Sequence, residues 1–390
     1  MRVLHIGKYY APQRGGIERH LQDLAEWFVA HGHGISALVH QPGGQWRTRH
    51  ETRNGVDLRR VGCIAAPLYT PISPAFPWQL RQALVTQQPD LLHLHMPNPS
   101  CFAALASPRA RALPWLVHWH ADVSPDMPDW RVRAAYRMYR PFERAVLARA
   151  SAIVVTSAAY AEASMALAPW KAKLHVVPLG IDAADSGPAS SPGCPDWPSP
   201  APLKLLGVGR LSHYKGHAVL LEAMARTPGS SLVLVGEGEE SARLRALAAR
   251  LQIEDRIRFV GAVDDSALQA LYTAADLFVL PSLDRSEAFG LVLLEAMRAG
   301  LAIVASDIPG SGVGQVIEDG ESGILVPPRD SQALALALQR ASDASLRKRL
   351  GEAGRARWQA RFTLEKSARA ILELYRAVSD RDPRAAGQAR

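Results

Sequence analysis

Cysteine is scarce in this chain: three are scattered over 390 residues, at Cys63, Cys101 and Cys194. None forms a pair at metal-ligand spacing, and an odd, dispersed count fits a reducing compartment rather than a disulfide scaffold. Long apolar runs are missing as well. No stretch approaches the roughly 18 residues of a membrane span, and residues 3–6 are too short an apolar core for a signal peptide. The N-terminal glycine loop lacks the GxGxxG pattern, and the second apolar run ends in His40 instead of an acid. Both absences weigh against a nicotinamide-dinucleotide site. The only Asp-x-Asp, Asp380-Arg381-Asp382, lies in a polar tail, so no metal and no cofactor are expected.

What is present has the balance of a soluble globular protein, 48% hydrophobic and 21% charged. The chain is too long for one typical core, so two domains are expected. A net charge of +8 calls for an anionic partner: nucleotide phosphates, an anionic membrane face or nucleic acid. Aromatics interleaved for base stacking on a sheet are absent, so nucleic acid is not expected. The composition places the chain in the cytoplasm, able to rest on the inner membrane face.

In the first half, apolar runs predict strands at 3–6, 35–39, 56–61, 90–95, 115–120, 152–157 and 174–177, with helices at 17–28 and 78–87. Strand, glycine loop and helix open a doubly wound sheet. Gly15-Gly16 reads either as a tight turn or as a loop that lets a ligand approach the backbone. Ligands of such sheets sit beyond the carboxyl ends of strands, and His93, His95, His118 and His120 approach such ends. Alternation places each i, i+2 pair on one face. Four histidines raise zinc, but no cysteine joins them; they read as packed or hydrogen-bonded sheet residues. His120 is the candidate site residue, with Asp122 beside it. Residues 130–149 hold six arginines and one acid, Glu143. Trp130, Ala134, Met138 and Phe142 recur there at helical spacing, beside Arg133, Arg137 and Arg140. This is either a basic amphipathic helix for an acceptor or an anionic membrane, or a surface helix with solvated arginines.

Residues 185–202 are rich in Pro, Ser and Gly and read as a linker. Strands then follow at 203–209, 231–236, 256–261, 277–280, 302–306 and 323–326, alternating with helices: a second parallel α/β domain. Arg210 and Lys215 flank the turn between its first strand and the helix from His217. Two cations beside a helix start can hold a diphosphate without a metal, or be ordinary surface charges. The strand ends at Gly236 and Val260 suit a nucleotide base held by backbone groups.

The most informative stretch runs from Ser282 to Met297. Pro281 closes a buried strand, a polar loop follows, and a helix begins near Phe289-Gly290 and stops at Gly300. Glu287 lies in the loop and Glu295 about a turn and a half into the helix. Between them stand Ala288, Phe289, Gly290 and Leu291, whose backbone N–H groups form a helix start, an anion site. Like charge keeps both carboxylates off a phosphate and leaves them to accept from hydroxyls. A nucleotide sugar has that layout: ribose hydroxyls, diphosphate, sugar hydroxyls. Two solvated glutamates on an ordinary strand–loop–helix are the alternative.

Gly15-Gly16, His120, Arg210 with Lys215-Gly216, and Glu287-x7-Glu295 after Pro281-Ser282 resemble, in order, the motifs of the retaining family-4 glycosyltransferases of the GT-B fold, a polysaccharide-biosynthesis type. The resemblance spans residues 3–375. It implies two doubly wound, Rossmann-like parallel-sheet α/β domains with an interdomain cleft: an acceptor domain at 1–184, the linker at 185–202, a nucleotide-sugar domain at 203–362, and a final helix and tail at 363–390 that return to the first domain. It implies that Arg210 and Lys215 hold the diphosphate, Glu295 the ribose, and Glu287 and His120 the donor sugar, without a metal. The implied reaction moves a hexose from a nucleotide diphosphate sugar to a glycan or lipid-linked glycan. GDP-mannose is the first donor candidate, from the look of residues 118–122, and UDP-sugars follow. An epimerase, a glycan phosphorylase and a non-catalytic nucleotide-sugar-binding subunit are the alternatives.

Overall fold

The computed structural model describes residues 1–13, 15–67, 70–123, 130–183, 197–198 and 201–380, with only the backbone described at 130–132. Most of the linker at 185–202, the side chain of Trp130 and the tail beyond 380 therefore lie outside the described residues. The chain divides into two units, Met1–Asp182 with Leu364–Arg390, and Ala183–Thr363.

The first unit holds an eight-stranded sheet: β1 (Arg2–Ile6), β2 (Gly34–His40), β3 (Arg49–Arg53), β4 (Val56–Val61), β5 (Leu91–Met96), β6 (Trp115–Trp119), β7 (Ala152–Val155) and β8 (Leu174–Val176). Their order is β3-β4-β2-β1-β5-β6-β7-β8. All neighbours are parallel except β3 and β4. β3, Arg-His-Glu-Thr-Arg, is an edge strand that the sequence reading omitted. It carries no apolar run because it is almost wholly exposed. Its register comes from a hairpin at Asn54 and Gly55, both at positive φ, a pairing that matches the twist of a two-stranded ribbon.

One face of this sheet is apolar at the strand starts, with Val3, Leu91, Leu116 and Ala152 in the core. Helix Gly16–Ala30 covers it with Leu21, Leu24, Ala25 and Phe28, and helix Leu364–Asp380 with Ala368, Ile371, Tyr375 and Val378. Each such leucine or isoleucine contributes about 1.5–3 kcal/mol by burial. Trp27 Nε1 donates to Glu365 Oε2 at 3.0 Å, tying the two helices together.

The second unit is a six-stranded, all-parallel sheet: β9 (Leu203–Val208), β10 (Ser230–Val235), β11 (Ile257–Gly261), β12 (Leu277–Leu280), β13 (Ala302–Ser306) and β14 (Ile324–Val326). The order is β11-β10-β9-β12-β13-β14. Its central strands are buried on both faces, which is why they read as unbroken apolar runs.

Candidate functional site

In the second unit the strand order reverses between β9 and β12, the position where open α/β sheets take ligands. Both segments leaving these strands carry the charged motif. After β9 the chain makes a short 3-10 turn at His213–Lys215, and Gly216, at φ 68, begins helix His217–Ala225. A Cβ on Gly216 would stand 2.0 Å from the Pro281 carbonyl oxygen. Glycine is thus required by its conformation and by the approach of the loop after β12. Leu283 N donates to the Tyr214 carbonyl at 2.7 Å, closing the two loops together.

That closure buries an ion pair. Lys215 Nζ lies 2.6 Å from Glu287 Oε2, with both side chains 9% exposed. Ser282 Oγ donates to the same oxygen at 2.9 Å, and Ser311 Oγ donates to the Glu287 carbonyl. Burial pulls the Lys215 ammonium toward its neutral form, but Glu287 and then Tyr214 outweigh it, and its pKa stands above the usual lysine value. Lys215 is therefore a fixed cation. Glu287 does not offer both oxygens to hydroxyls: Oε2 is occupied by the lysine and the serine.

Helix Leu291–Ala299 starts at Gly290, which takes φ 82, and no side chain caps it. The Leu293 N–H turns back to the Gly290 carbonyl at 2.8 Å, and the N–H groups before it form the helix start, the kind of site that takes an anion. Ala288 and Phe289 are buried. The Phe289 ring packs edge-on against Phe362, so these two can serve a ligand only through their backbone. Glu295 Oε2 accepts from the buried Tyr272 hydroxyl at 2.8 Å. Tyr272 comes from the preceding helix and has no local sequence signature. Arg210 does not join the buried pair; its Nη2 lies 2.9 Å from Glu239 Oε2 on the surface. Gly236 N donates to the Gly261 carbonyl at 2.8 Å, bringing the ends of β10 and β11 together beside half-buried Val260.

In the first unit the order reverses between β1 and β5. Past the apolar strand starts, the face covered by the two helices turns polar: His5, His93, His95, His118 and His120, with His20 from the first helix, are all buried. The rings stack, His118 on His120 with centroids 4.3 Å apart and planes at 7°, and His93 with His118 at 3°. Burial keeps all six from charging, with His5 lowered to about 3 and His20 to about 4; the other four also lie well below the usual histidine value. Sequence reasoning singled out four of these histidines; His5 and His20 went unmarked. Asp122 is an anchor: Trp119 Nε1 donates to its carboxylate at 2.9 Å and Ser164 Oγ at 2.6 Å.

Gly15 has an extended φ of 172 and precedes helix Gly16–Ala30 without a side-chain cap. Nothing lies within 4 Å of a Cβ built on Gly16. The fold itself does not demand glycine there, which favours an open backbone over a tight turn. In helix Trp130–Arg149, Arg133, Arg137 and Arg140 are exposed. Met138 is 76% and Phe142 53% exposed, while Glu143, Val146 and Leu147 face inward. Burial, then the Asp122 charge, raises the Glu143 carboxyl to about 7.

Residues 198–357 match the family model described as Glycosyl transferases group 1, and residues 15–180 that of the Glycosyl transferase 4-like domain. The chain is 31% identical over 391 residues to a phosphatidyl-myo-inositol mannosyltransferase of Mycobacterium tuberculosis, covering 97% of each. It belongs to the family-4 glycosyltransferases of the GT-B fold. It is also 28% identical to the O-antigen chain mannosyltransferase C of Escherichia coli, over 96% of this chain and 98% of that one. Among solved structures, the sucrose-phosphate synthase of Thermosynechococcus elongatus superposes with a TM-score of 0.76 at 26% identity, covering 97% of this chain and 98% of the other. The chain is thus an enzyme, a hexosyltransferase with two parallel-sheet α/β domains. Among the described residues, no helix is long and apolar enough to cross a membrane.

Proposed function

We propose that this glycosyltransferase moves a hexose, with mannose the first candidate, from a nucleotide diphosphate sugar to a glycan or lipid-linked glycan, with retention of anomeric configuration. The supporting observation is the buried Lys215–Glu287 pair at the β9/β12 reversal, next to a helix start that no side chain caps. A glycosyl diphosphate bond breaks with negative charge growing on the leaving phosphate and positive charge on the sugar ring. Lys215, held rigidly by Glu287, and the N–H groups from Gly290 onward stabilise the leaving charge without reorganising. Arg210 adds a second cation when it swings from Glu239. The departing phosphate oxygen takes the acceptor's hydroxyl proton, so no strong base is required.

In this reading Glu287 Oε1 and His120 accept or donate to sugar hydroxyls, and Glu295, oriented by Tyr272, holds the ribose. Gly236 and Val260 flank the base, and Gly15 and Gly16 lie close to the donor. Trp130, Arg133, Arg137 and Arg140 serve the acceptor or an anionic membrane face. The relatives' names favour mannose. Thermal-shift screening of GDP-, UDP- and ADP-sugars, followed by transfer assays with the stabilising donor, tests this. A donor at a hundredfold excess over its dissociation constant adds about 2.7 kcal/mol, a readily measured shift. If no nucleotide sugar stabilises the protein, the reading fails; a product of inverted configuration removes retention.

A further inference from the structure

Five side chains in the first unit form one unbroken hydrogen-bonded chain. His120 Nε2 lies 3.0 Å from His95 Nδ1, and His95 Nε2 lies 3.1 Å from His5 Nδ1. His5 Nε2 is 3.4 Å from the Tyr375 hydroxyl, which is 2.6 Å from His93 Nδ1. The rings are neutral, so each carries a single N–H. At the inner end His93 Nε2 is buried without a partner. At the outer end, past β6, His120 keeps Nδ1 outside the chain.

A neutral chain of this kind has two polarisations. In one, every proton points inward: His120 donates from Nε2, Tyr375 donates to His93, and His93 carries a buried N–H with no partner. In the other, His93 donates to Tyr375, Tyr375 to His5, His5 to His95, and His95 Nδ1–H to His120 Nε2. His120 then carries its proton on Nδ1. Both polarisations leave His93 Nε2 unpartnered, as a donor in the first and as a lone pair in the second; an orphaned buried N–H is rarer and costlier than an unused acceptor, so the outward polarisation prevails by about tenfold. The ring nitrogen that carries the proton is set by the bond the other nitrogen makes.

We infer that this chain locks His120 as the Nδ1–H tautomer, a neutral hydrogen-bond donor to an oxygen of the donor sugar, with His95, His5, Tyr375 and His93 as positioning residues. The donor role rests on the sugar contact proposed for His120; the tautomer does not. A shared metal fits the same histidines poorly. Their ligand nitrogens do lie within 4.8 Å of one another in two trios. In the trio His5, His93 and His95 the rings tilt by 17–38°, but His5 Nδ1 and His95 Nε2 are bonded to each other and His93 Nδ1 to Tyr375; in the other trio the His95 and His120 planes differ by 9° and those of His118 and His120 by 7°. Lone pairs lie in the ring plane, so near-parallel rings do not converge on a tetrahedral ion.

The test uses the full chain labelled with 15N-histidine, reading two-bond imidazole correlations and assigning His120 by its loss in His120→Gln. A protonated Nδ1 is expected; an Nε2–H or an averaged pattern overturns the inference. Kinetics give a second reading. Tyr375→Phe cuts the chain far from any ligand and raises the donor KM about threefold to tenfold, the worth of one hydrogen bond, with kcat little changed. His95→Asn, whose amide N–H replaces Nδ1–H, keeps the donor KM near that of the parent. In the His95→Asn background Tyr375→Phe adds nothing. Equal losses in both backgrounds make Tyr375 merely structural and overturn the inference. Full turnover in His120→Ala sinks the sugar contact and with it the donor role, while the NMR result still decides the tautomer. One equivalent of zinc, nickel or copper retained after dialysis overturns the chain in favour of a metal site.

Discussion

Replacing Lys215 with methionine separates what the buried ion pair does for folding from what it does for turnover. The charges stand 2.6 Å apart with side chains 9% exposed. At an effective permittivity of about 20, unit charges at that spacing attract by about 6 kcal/mol, and desolvating the two ions costs several kcal/mol each. The pair is thus close to neutral for stability. Removing one member is not, because a carboxylate left buried without its cation costs about 3–5 kcal/mol. A domain of 150–250 residues, the class of the unit spanning 183–363, loses about 2–4 °C of melting temperature per kcal/mol. Lys215→Met therefore lowers the melting of that unit by about 6–20 °C. The double variant Lys215→Met/Glu287→Met removes both charges and recovers most of the loss, short of about 1 kcal/mol for the Ser282 hydroxyl that loses its acceptor. Turnover should stay down by about a hundredfold to a thousandfold in both, since each lacks the cation proposed to face the leaving phosphate. Calorimetry with a saturating-donor transfer assay measures both quantities. A single variant that melts within about 2 °C of the parent, or a double variant no more stable than the single, refutes the ion-pair reasoning. A double variant that turns over refutes the role of Lys215.

The seven buried histidines of the first unit, the six of the cluster and His40, make it acid-labile. Their folded pKa values lie far below the unfolded value of about 6.5, so the unfolded chain binds more protons below that pH, and the stability present above it is lost as pH falls. At pH 5.5 each group costs about 1.4 kcal/mol and seven together about 10, comparable with a whole domain's stability. The near-ultraviolet circular dichroism of Trp115 and Trp119 should collapse near that pH; a native signal at pH 5 contradicts it. Tyr272→Phe should raise the donor KM about threefold to tenfold by removing the hydroxyl that orients the Glu295 carboxylate, with kcat little changed; an unchanged KM separates Glu295 from the ribose. Charge reversal at Arg133 and Arg137 should release the protein from anionic vesicles, at about 1 kcal/mol per charge; unchanged sedimentation removes the membrane role of that helix.

Much of the fold was legible because parallel strands are buried on both faces. Runs such as Leu277–Leu280 and Ala302–Ser306 admit no other reading once Pro281 or a glycine bounds them. β3 was not legible by that rule, since an exposed edge strand carries no apolar signal; the clue was the Asn54-Gly55 turn, a local signal passed over. The carboxylates of the site were legible as a spacing, but their partners were not. Glu287 meets Lys215 across 72 residues of sequence, and Tyr272 reaches Glu295 from a different helix. Such pairings depend on which strands lie side by side, and composition carries no trace of that order.

The histidines show how far a local rule reaches. Alternation alone put His93 with His95 and His118 with His120 on one face, and that much holds in the sheet. Register then aligns His5 with His93 and His95 with His118, and Tyr375 arrives from a helix 370 residues beyond His5. Singly, each buried imidazole is a polar group needing one acceptor, a minor cost that many sheets carry. Along His120, His95, His5, Tyr375 and His93 each group supplies the acceptor for the next, while His118 packs face-on and His20 edge-on beside them with neither ring nitrogen bonded. One end of that chain is buried and the other lies at the carboxyl end of β6, the edge at which open α/β sheets take ligands. A tautomer that no single position determines is therefore set by the whole ladder, and breaking it at Tyr375 should register at His120, three histidines away.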